Sequence, residues 1–201
     1  MAKLYFKYGA MGSSKTAQAL ITKYNYEEND MKVWLIKPSA DTRDGADILR
    51  SRIGLQAKVE VMLPGRDIYD TYAKEHDGAC HAVIVDECQF MTPEQIDQLR
   101  AIVDDFNVPV MCFGLRTDFQ TKLFPGSRRL MEVADAIQEI KTICDCSAKA
   151  TVNARIDAEG YIVTEGAQVV LGGNDSYIAM CHRCWIKGIK EHKKIKLHGS
   201  H

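Results

Sequence analysis

The run Gly9-Ala10-Met11-Gly12-Ser13-Ser14-Lys15-Thr16 stands directly behind the apolar stretch Leu4-Tyr5-Phe6. Glycines that give way to Lys-Thr at the start of a helix form a phosphate cradle, the P-loop pattern. Backbone N–H groups freed by the glycines point inward at an anion, and the positive end of the following helix adds to their field. In such a cradle Lys15 reaches the outer phosphates and the Thr16 hydroxyl holds Mg²⁺. Ser14 occupies the position before the lysine where glycine is usual. Serine fits there provided its φ stays negative. The plainer reading is a Gly/Ser-rich turn ahead of an ordinary helix.

A second chemical signal is the apolar run Ala82-Val83-Ile84-Val85, which ends in Asp86-Glu87. Consecutive side chains on a strand point to opposite sides, so the two carboxylates can hold different jobs. Asp86 suits the organisation of Mg²⁺, and Glu87 suits a place near the transferred phosphate. Glu87 then either orients water, as in an ATPase, or takes a proton from an acceptor hydroxyl, as in a small-molecule kinase. The dipeptide alone is compatible with both, and also with a solvated acidic turn after a buried strand.

The third signal is sulfur. Cys144-x-Cys146 and Cys181-x-x-Cys184 supply four thiols in two close pairs, a ligand set for closed, tetrahedral structural zinc. Four unrelated buried cysteines are the alternative. Cys80, Cys88 and Cys112 are dispersed and read as core thiols.

These residues need elements to hold them. Runs 4–8, 33–36, 59–63, 82–85 and 108–113 are short and apolar, as strands are, and 15–28, 67–75 and 93–106 carry helical spacing. Thr92-Pro93-Glu94-Gln95 reads as a helix start, with Thr92 as N-cap and Gln95 as its partner three residues on. Strands alternating with helices imply a P-loop-like α/β fold, a parallel sheet flanked by helices. Ligands bind such sheets at the carboxyl ends of the strands, where 9–16 falls. After about residue 140 the texture changes. Residues 150–171 read as a β-hairpin with a long loop, stapled at its base by the cysteine pairs. The expected organisation is a P-loop domain over 1–141, a small zinc-stapled domain over 142–190 and a tail over 191–201.

Composition narrows the classes further. The chain has 201 residues, of which 46% are hydrophobic and 26% charged, enough for a full α/β core with a small appendage. A formal net charge of −1 argues against a general nucleic-acid or membrane-surface binder. The lysine-rich stretch 187–196 reads as a solvated terminal helix or a frayed end. No apolar run reaches membrane-spanning length, and Met1-Ala2-Lys3-Leu4-Tyr5 lacks signal-peptide architecture. Seven cysteines then read as reduced thiols, and the expected address is the cytoplasm.

The ordered set of 9–16, Asp41-Thr42-Arg43, Asp86-Glu87-Cys88-Gln89-Phe90, Gly114-Leu115-Arg116-Thr117-Asp118-Phe119, the paired cysteines and Val170-Leu171-Gly172-Gly173-Asn174-Asp175-Ser176-Tyr177 resembles the zinc-containing thymidine kinases, the cytosolic enzymes of bacteria and animals. The likeness runs from residue 4 to about residue 190. It implies transfer of the ATP γ-phosphate to the 5′-hydroxyl of thymidine, and of deoxyuridine as well, for pyrimidine salvage. Glu87 would be the general base, and Arg43 would offset charge in the transition state. Gly9, Met11, Gly12, Ser13, Ser14, Lys15 and Thr16 would cradle ATP, with Thr16 and Asp86 on Mg²⁺. Met11, Phe90, Leu115 and Phe119 would wall the thymine pocket. The loop between the cysteine pairs resembles the family's lasso, with Val170, Gly173 and Tyr177 beside base and sugar. Cys144, Cys146, Cys181 and Cys184 would bind zinc. The resemblance further implies a homotetramer and feedback inhibition by dTTP. The sequence departs from the family pattern at Ala10, at Ser14 and in the short Cys144-x-Cys146 pair. The rival readings are a P-loop ATPase or GTPase switch carrying a structural zinc module, and a zinc-ribbon module that binds nucleic acid or protein.

Overall fold

Short apolar runs set the sheet, with those at 82–85 and 110–114 buried at every position. The structure is a computed structural model, and it describes residues 1–40, 47–168 and 176–195. The chain divides into two compact units. The first holds Met1–Tyr8, Ser14–Leu115 and Phe124–Ile140; the second holds Gly9–Ser13, Arg116–Leu123 and the described residues from Lys141 on.

In the first unit the order is β1 (Leu4–Tyr8), α1 (Lys15–Glu27), β2 (Val33–Pro38), β3 (Ile48–Arg50), β4 (Gln56–Lys58), β5 (Glu60–Met62), α2 (Ile68–Glu75), β6 (Ala82–Val85), α3 (Pro93–Phe106), β7 (Val110–Gly114), α4 (Pro125–Val133) and β8 (Ala136–Glu139). Six strands form one sheet in the order β5-β2-β6-β7-β1-β8. Every pairing in it is parallel. The expected α/β architecture is therefore the observed one. The antiparallel β3–β4 pair, α4 and β8 were not anticipated.

Period-two alternation explains how both faces are covered. Leu4, Phe6, Trp34, Ile36, Val83, Val85, Val110 and Cys112 face Ile68 and Tyr72 of α2, Ile96, Leu99, Ile102 and Val103 of α3, and Leu130 of α4. The intervening Leu35, Ala82, Ile84, Met111 and Phe113 pack with Ala19 and Leu20 of α1 and with Leu49 of β3. Helix starts follow their local chemistry. Thr92 and Gln95 exchange side-chain and backbone bonds at 3.2 Å, a full capping box with Pro93 in the first turn. Asp67 accepts from the Asp70 N–H at 2.9 Å at the start of α2.

The second unit is built differently. Its strands β9 (Val152–Ile156) and β10 (Ser176–Met180) pair antiparallel, and α5 (His182–Lys190) follows. The hairpin expected inside 150–171 takes another form. After the turn at Asp157, Tyr161 and Val163 bond the flank of β9 and Ile162 makes a single bridge to Ile156. The full partner of β9 is β10, far along the chain. The apolar core here is small: Cys144, Ala150, Ala154, Ile156, Met180 and Cys181. Among the described residues no helix is long and apolar enough to cross a membrane.

Candidate active site

All strands of the main sheet run the same way, so the ends of β1, β6 and β7 open on one edge. Asp86 and Glu87 follow the end of β6 there. Asp86 still belongs to the sheet, its N–H bonded to the Ile36 carbonyl at 3.0 Å. Glu87 takes φ +50°, a left-handed conformation uncommon for a residue with a side chain, and turns the chain into a single 3₁₀ turn, Cys88–Phe90. Across from this end, the Thr16 hydroxyl donates to Asp86 Oδ2 at 2.7 Å.

Burial makes this a charged site in a poor solvent. Asp86 is 1% exposed. Desolvation above all, and then the Glu87 charge, push its carboxyl up to about 7, against the Thr16 hydrogen bond and the Lys15 charge. Lys15 is buried as well, and desolvation lowers its ammonium pKa while Glu87 and Asp86 pull the other way. Lys15 thus stands between the carboxyl groups of Asp86 and Glu87. With the Thr16 hydroxyl, these make a hard-oxygen donor set that fits Mg²⁺.

Gln89 was not among the expected site residues. It is buried, its Nε2 donates to Glu87 Oε2, and its Oε1 accepts from the Leu115 N–H at 2.9 Å. The Leu115 carbonyl in turn accepts from Ser127 Oγ at 2.5 Å. Two glycines admit this turn. A Cβ on Gly114 would lie 2.5 Å from Gln89 Oε1, and one on Gly126 would lie 2.6 Å from the Cys88 carbonyl. Phe90, half-buried, meets Phe124 edge to face at 5.6 Å between ring centres.

The phosphate-cradle residues show one departure from expectation. Ser14, the N-cap of α1, has φ +61° rather than a negative value. It makes no side-chain cap, and its backbone occupies the conformation for which glycine is the usual choice. Gly12 also lies in the left-handed region at φ +74°. The Cβ of Ser14 is thus tolerated at a cost, because the turn into Lys15 dictates the backbone.

In the second unit, Asn153 of β9 is the organising residue. Its Oδ1 accepts from the Met11 N–H at 2.8 Å and its Nδ2 donates to the Thr117 carbonyl at 3.0 Å. One buried amide therefore ties β9 to both Gly9–Ser13 and Arg116–Leu123. Asp118, also buried, accepts from the N–H groups of Gln120 and Lys122 and from Gln168 Nε2. Phe119 lies under the Arg155 guanidinium at 5.2 Å. Arg155 faces Tyr177 in the β9–β10 register.

The four expected metal ligands do converge. The Sγ atoms of Cys144, Cys146, Cys181 and Cys184 all lie within 4.8 Å of one another, with Cys146 and Cys181 at 3.6 Å. A tetrahedron of thiolates about 2.3 Å from zinc has edges of about 3.8 Å, so the cluster fits the ion. The short Cys144-x-Cys146 pair succeeds because Ser147 turns back at φ +66° and the Cys144 N–H closes on the Ala148 carbonyl at 2.8 Å. The other pair opens α5, where the Cys184 N–H donates to Cys181 Sγ at 3.4 Å. The Ala148 N–H and the neighbouring thiols hold Cys146 down to about 7, and hydrogen bonding to Cys146 and Cys181 pushes Cys184 up to about 12.

Comparison with known proteins bears on the whole of this arrangement. A family model described as thymidine kinase matches residues 2–185. The thymidine kinase of Yersinia pseudotuberculosis is 43% identical over 191 residues, 94% of this chain and 97% of that protein. The chain belongs to the thymidine kinase family. The thymidine kinases of Ruegeria pomeroyi and Agrobacterium fabrum are each 44% identical, over 92% and 93% of this chain and 94% and 97% of their own lengths. This makes the chain an enzyme of a phosphotransferase family.

Within the thymidine kinase frame, the first unit brings Lys15, Thr16, Asp86 and Glu87 to one strand edge, with Phe90 and Leu115 on the neighbouring turns. The second unit holds Gly9, Met11, Gly12, Ser13, Phe119, Tyr177 and the four cysteines. Arg43, Val170 and Gly173 lie outside the described residues. Gln89 and Asn153 were missed. Gln89 stands inside a motif read for its acids, and Asn153 is one polar residue in a β-forming run.

Proposed function

We propose that this protein transfers the γ-phosphoryl group of ATP to the 5′-hydroxyl of thymidine, giving dTMP. The observation that carries the reading is the Thr16–Asp86 hydrogen bond beside Lys15 and Glu87. It joins the phosphate cradle to the acidic strand end in a chain of the thymidine kinase family. Lys15 binds the outer phosphates, and Thr16 and Asp86 are the residues that hold Mg²⁺. Bound magnesium would offset charge on the phosphate oxygens. Glu87 accepts the proton of the nucleoside 5′-hydroxyl as that oxygen attacks phosphorus, and Arg43 is assigned to the charge that develops there. Gly9, Met11, Gly12, Ser13 and Ser14 complete the ATP contacts. Met11, Phe90, Leu115 and Phe119 take the thymine, and Val170, Gly173 and Tyr177 close over base and sugar.

A kinase must keep water from its phosphoryl donor, and a loop closing over the nucleoside does so. Zinc on the four cysteines would supply folding free energy that the small core of the second unit lacks. The same reading, resting on family resemblance, assigns a homotetramer, feedback inhibition by dTTP and a cytoplasmic address. Incubation with Mg-ATP and thymidine is the test. The expected result is dTMP with ADP release that depends on nucleoside. ADP release at the same rate without nucleoside, and no dTMP, would favour the ATPase reading.

A further inference from the structure

The acid proposed as the general base does not stand alone. Its carboxylate is gripped by a side chain whose orientation the structure fixes from the other end. The Leu115 N–H is a donor and meets Gln89 Oε1 at 2.9 Å, so the Nε2 end of that amide must face Glu87 Oε2. Gln89 is 1% exposed, so a turned-over amide would set its NH₂ against the Leu115 N–H with no water to replace the lost bond. A Cβ on Gly114 would lie 2.5 Å from Gln89 Oε1, and one on Gly126 would lie 2.6 Å from the carbonyl of the preceding Cys88. The strand end β7 is held in turn, since Ser127 Oγ bonds the Leu115 carbonyl.

We propose that Gln89 is the positioning residue of the phosphotransfer base: it holds the Glu87 carboxylate in one rotamer and ties it to the backbone of Leu115, a residue assigned to the thymine pocket. Glu87 sits on left-handed backbone after the end of β6, so its direction is not set by the sheet register. A carboxylate fixed less closely would spend less of its time facing the acceptor hydroxyl. Holding it in a near-attack geometry supplies part of the rate. The amide also relays position. A shift of Leu115 on filling the thymine pocket moves the base with it, because one buried amide touches both.

The proposal rests on Glu87 being the base, and the test separates the two ideas. Glu87→Gln is measured first. Unchanged kcat would remove the base and this inference together. With a loss of roughly 10²–10⁴-fold there, the deciding variant is Gln89→Glu, which keeps an oxygen for the Leu115 N–H but sets a second carboxyl against Glu87, so that the pair repels or shares a proton and Glu87 is lost as a free base. We expect kcat to fall by roughly 10–10²-fold, the scale of a misplaced catalytic group, while the KM for ATP stays within about threefold. The double variant Glu87→Gln/Gln89→Glu should be no more than about threefold slower than Glu87→Gln, because the residue acts through Glu87. Losses that multiply, or a Gln89→Glu enzyme with normal kcat, would overturn the positioning role and leave the base intact. A fall in melting temperature with unchanged kcat would likewise reduce Gln89 to a structural residue.

Discussion

The two units reach order by opposite means. The first buries a deep apolar layer on each face of a six-stranded parallel sheet and presents Lys15, Thr16, Asp86 and Glu87 from one of its edges. The second gathers a small apolar cluster around Cys144 and Cys181, and pins its loops with single polar groups such as Asn153 and Asp118. Apolar burial is distributed, so losing one contact leaves most of the geometry intact. Polar clamps and metal ligands are concentrated, so each loss is large and local.

Chelation of the zinc assigned to the four cysteines should break the comparison most visibly. Structural zinc commonly contributes about 10–16 kcal/mol to a small domain. Removal should abolish phosphotransfer and expose amides in β9, β10, Gly9–Ser13 and Arg116–Leu123 to hydrogen exchange. Amides of β1, β6 and β7 should keep their protection. Equal loss in both sets would mean the units do not differ as described.

The buried acid in the first unit gives the next effect. The Asp86 pKa is raised in the folded protein, from an ordinary 3.8 to about 7. Its contribution is therefore intact below the unfolded pKa and is lost as pH rises through the folded one. Without Mg²⁺ or ATP, wild type should lose stability relative to Asp86→Asn between pH 5 and pH 8, by roughly 1–3 kcal/mol. Denaturant melts of both proteins at the two pH values check this, and parallel behaviour would deny the desolvation of Asp86.

Asn153→Ala should cost about 2–3 kcal/mol, because it strands the Met11 N–H and the Thr117 carbonyl at once. Exchange protection should fall in Gly9–Ser13 and Arg116–Leu123 ahead of the sheet strands. A uniform fall would make Asn153 an ordinary stability residue. The smallest effect is expected at Ser14→Gly. Relief of a left-handed serine, less the entropy of the added glycine, should stabilise by about 0.5–1 kcal/mol, or a few degrees of melting temperature. An unchanged or lower melting temperature would show that Ser14 is not strained.

The same contrast explains what the sequence made legible. Strands β1, β6 and β7 and helix α3 were readable, because short apolar runs and a capping box are local signals. The β3–β4 pair was not, since its three-residue strands mix charged and apolar positions without period. Helix α4 hid for another reason. Its buried face is Gly126, Ser127 and Leu130, chosen for close approach to the 88–91 turn rather than for hydrophobicity. The left-handed turn at Ser14 is set by the geometry of the cradle and carries no signature in serine itself. Gln89 and Asn153 act on partners remote in sequence, at Leu115, Met11 and Thr117, and no local pattern announces such a pairing. The acids and the cysteines were legible because their chemistry, unlike their orientation, is written in residue type and spacing.

The most direct measurement follows a labelled γ-phosphate through a single turnover, with thymidine and with 5′-deoxythymidine, which lacks the acceptor hydroxyl. The account predicts that the label passes to thymidine and not to water, that 5′-deoxythymidine receives none, and that Glu87→Gln slows the transfer by roughly 10²–10⁴-fold. Label released mainly as inorganic phosphate, or transfer at the wild-type rate by Glu87→Gln, would contradict it.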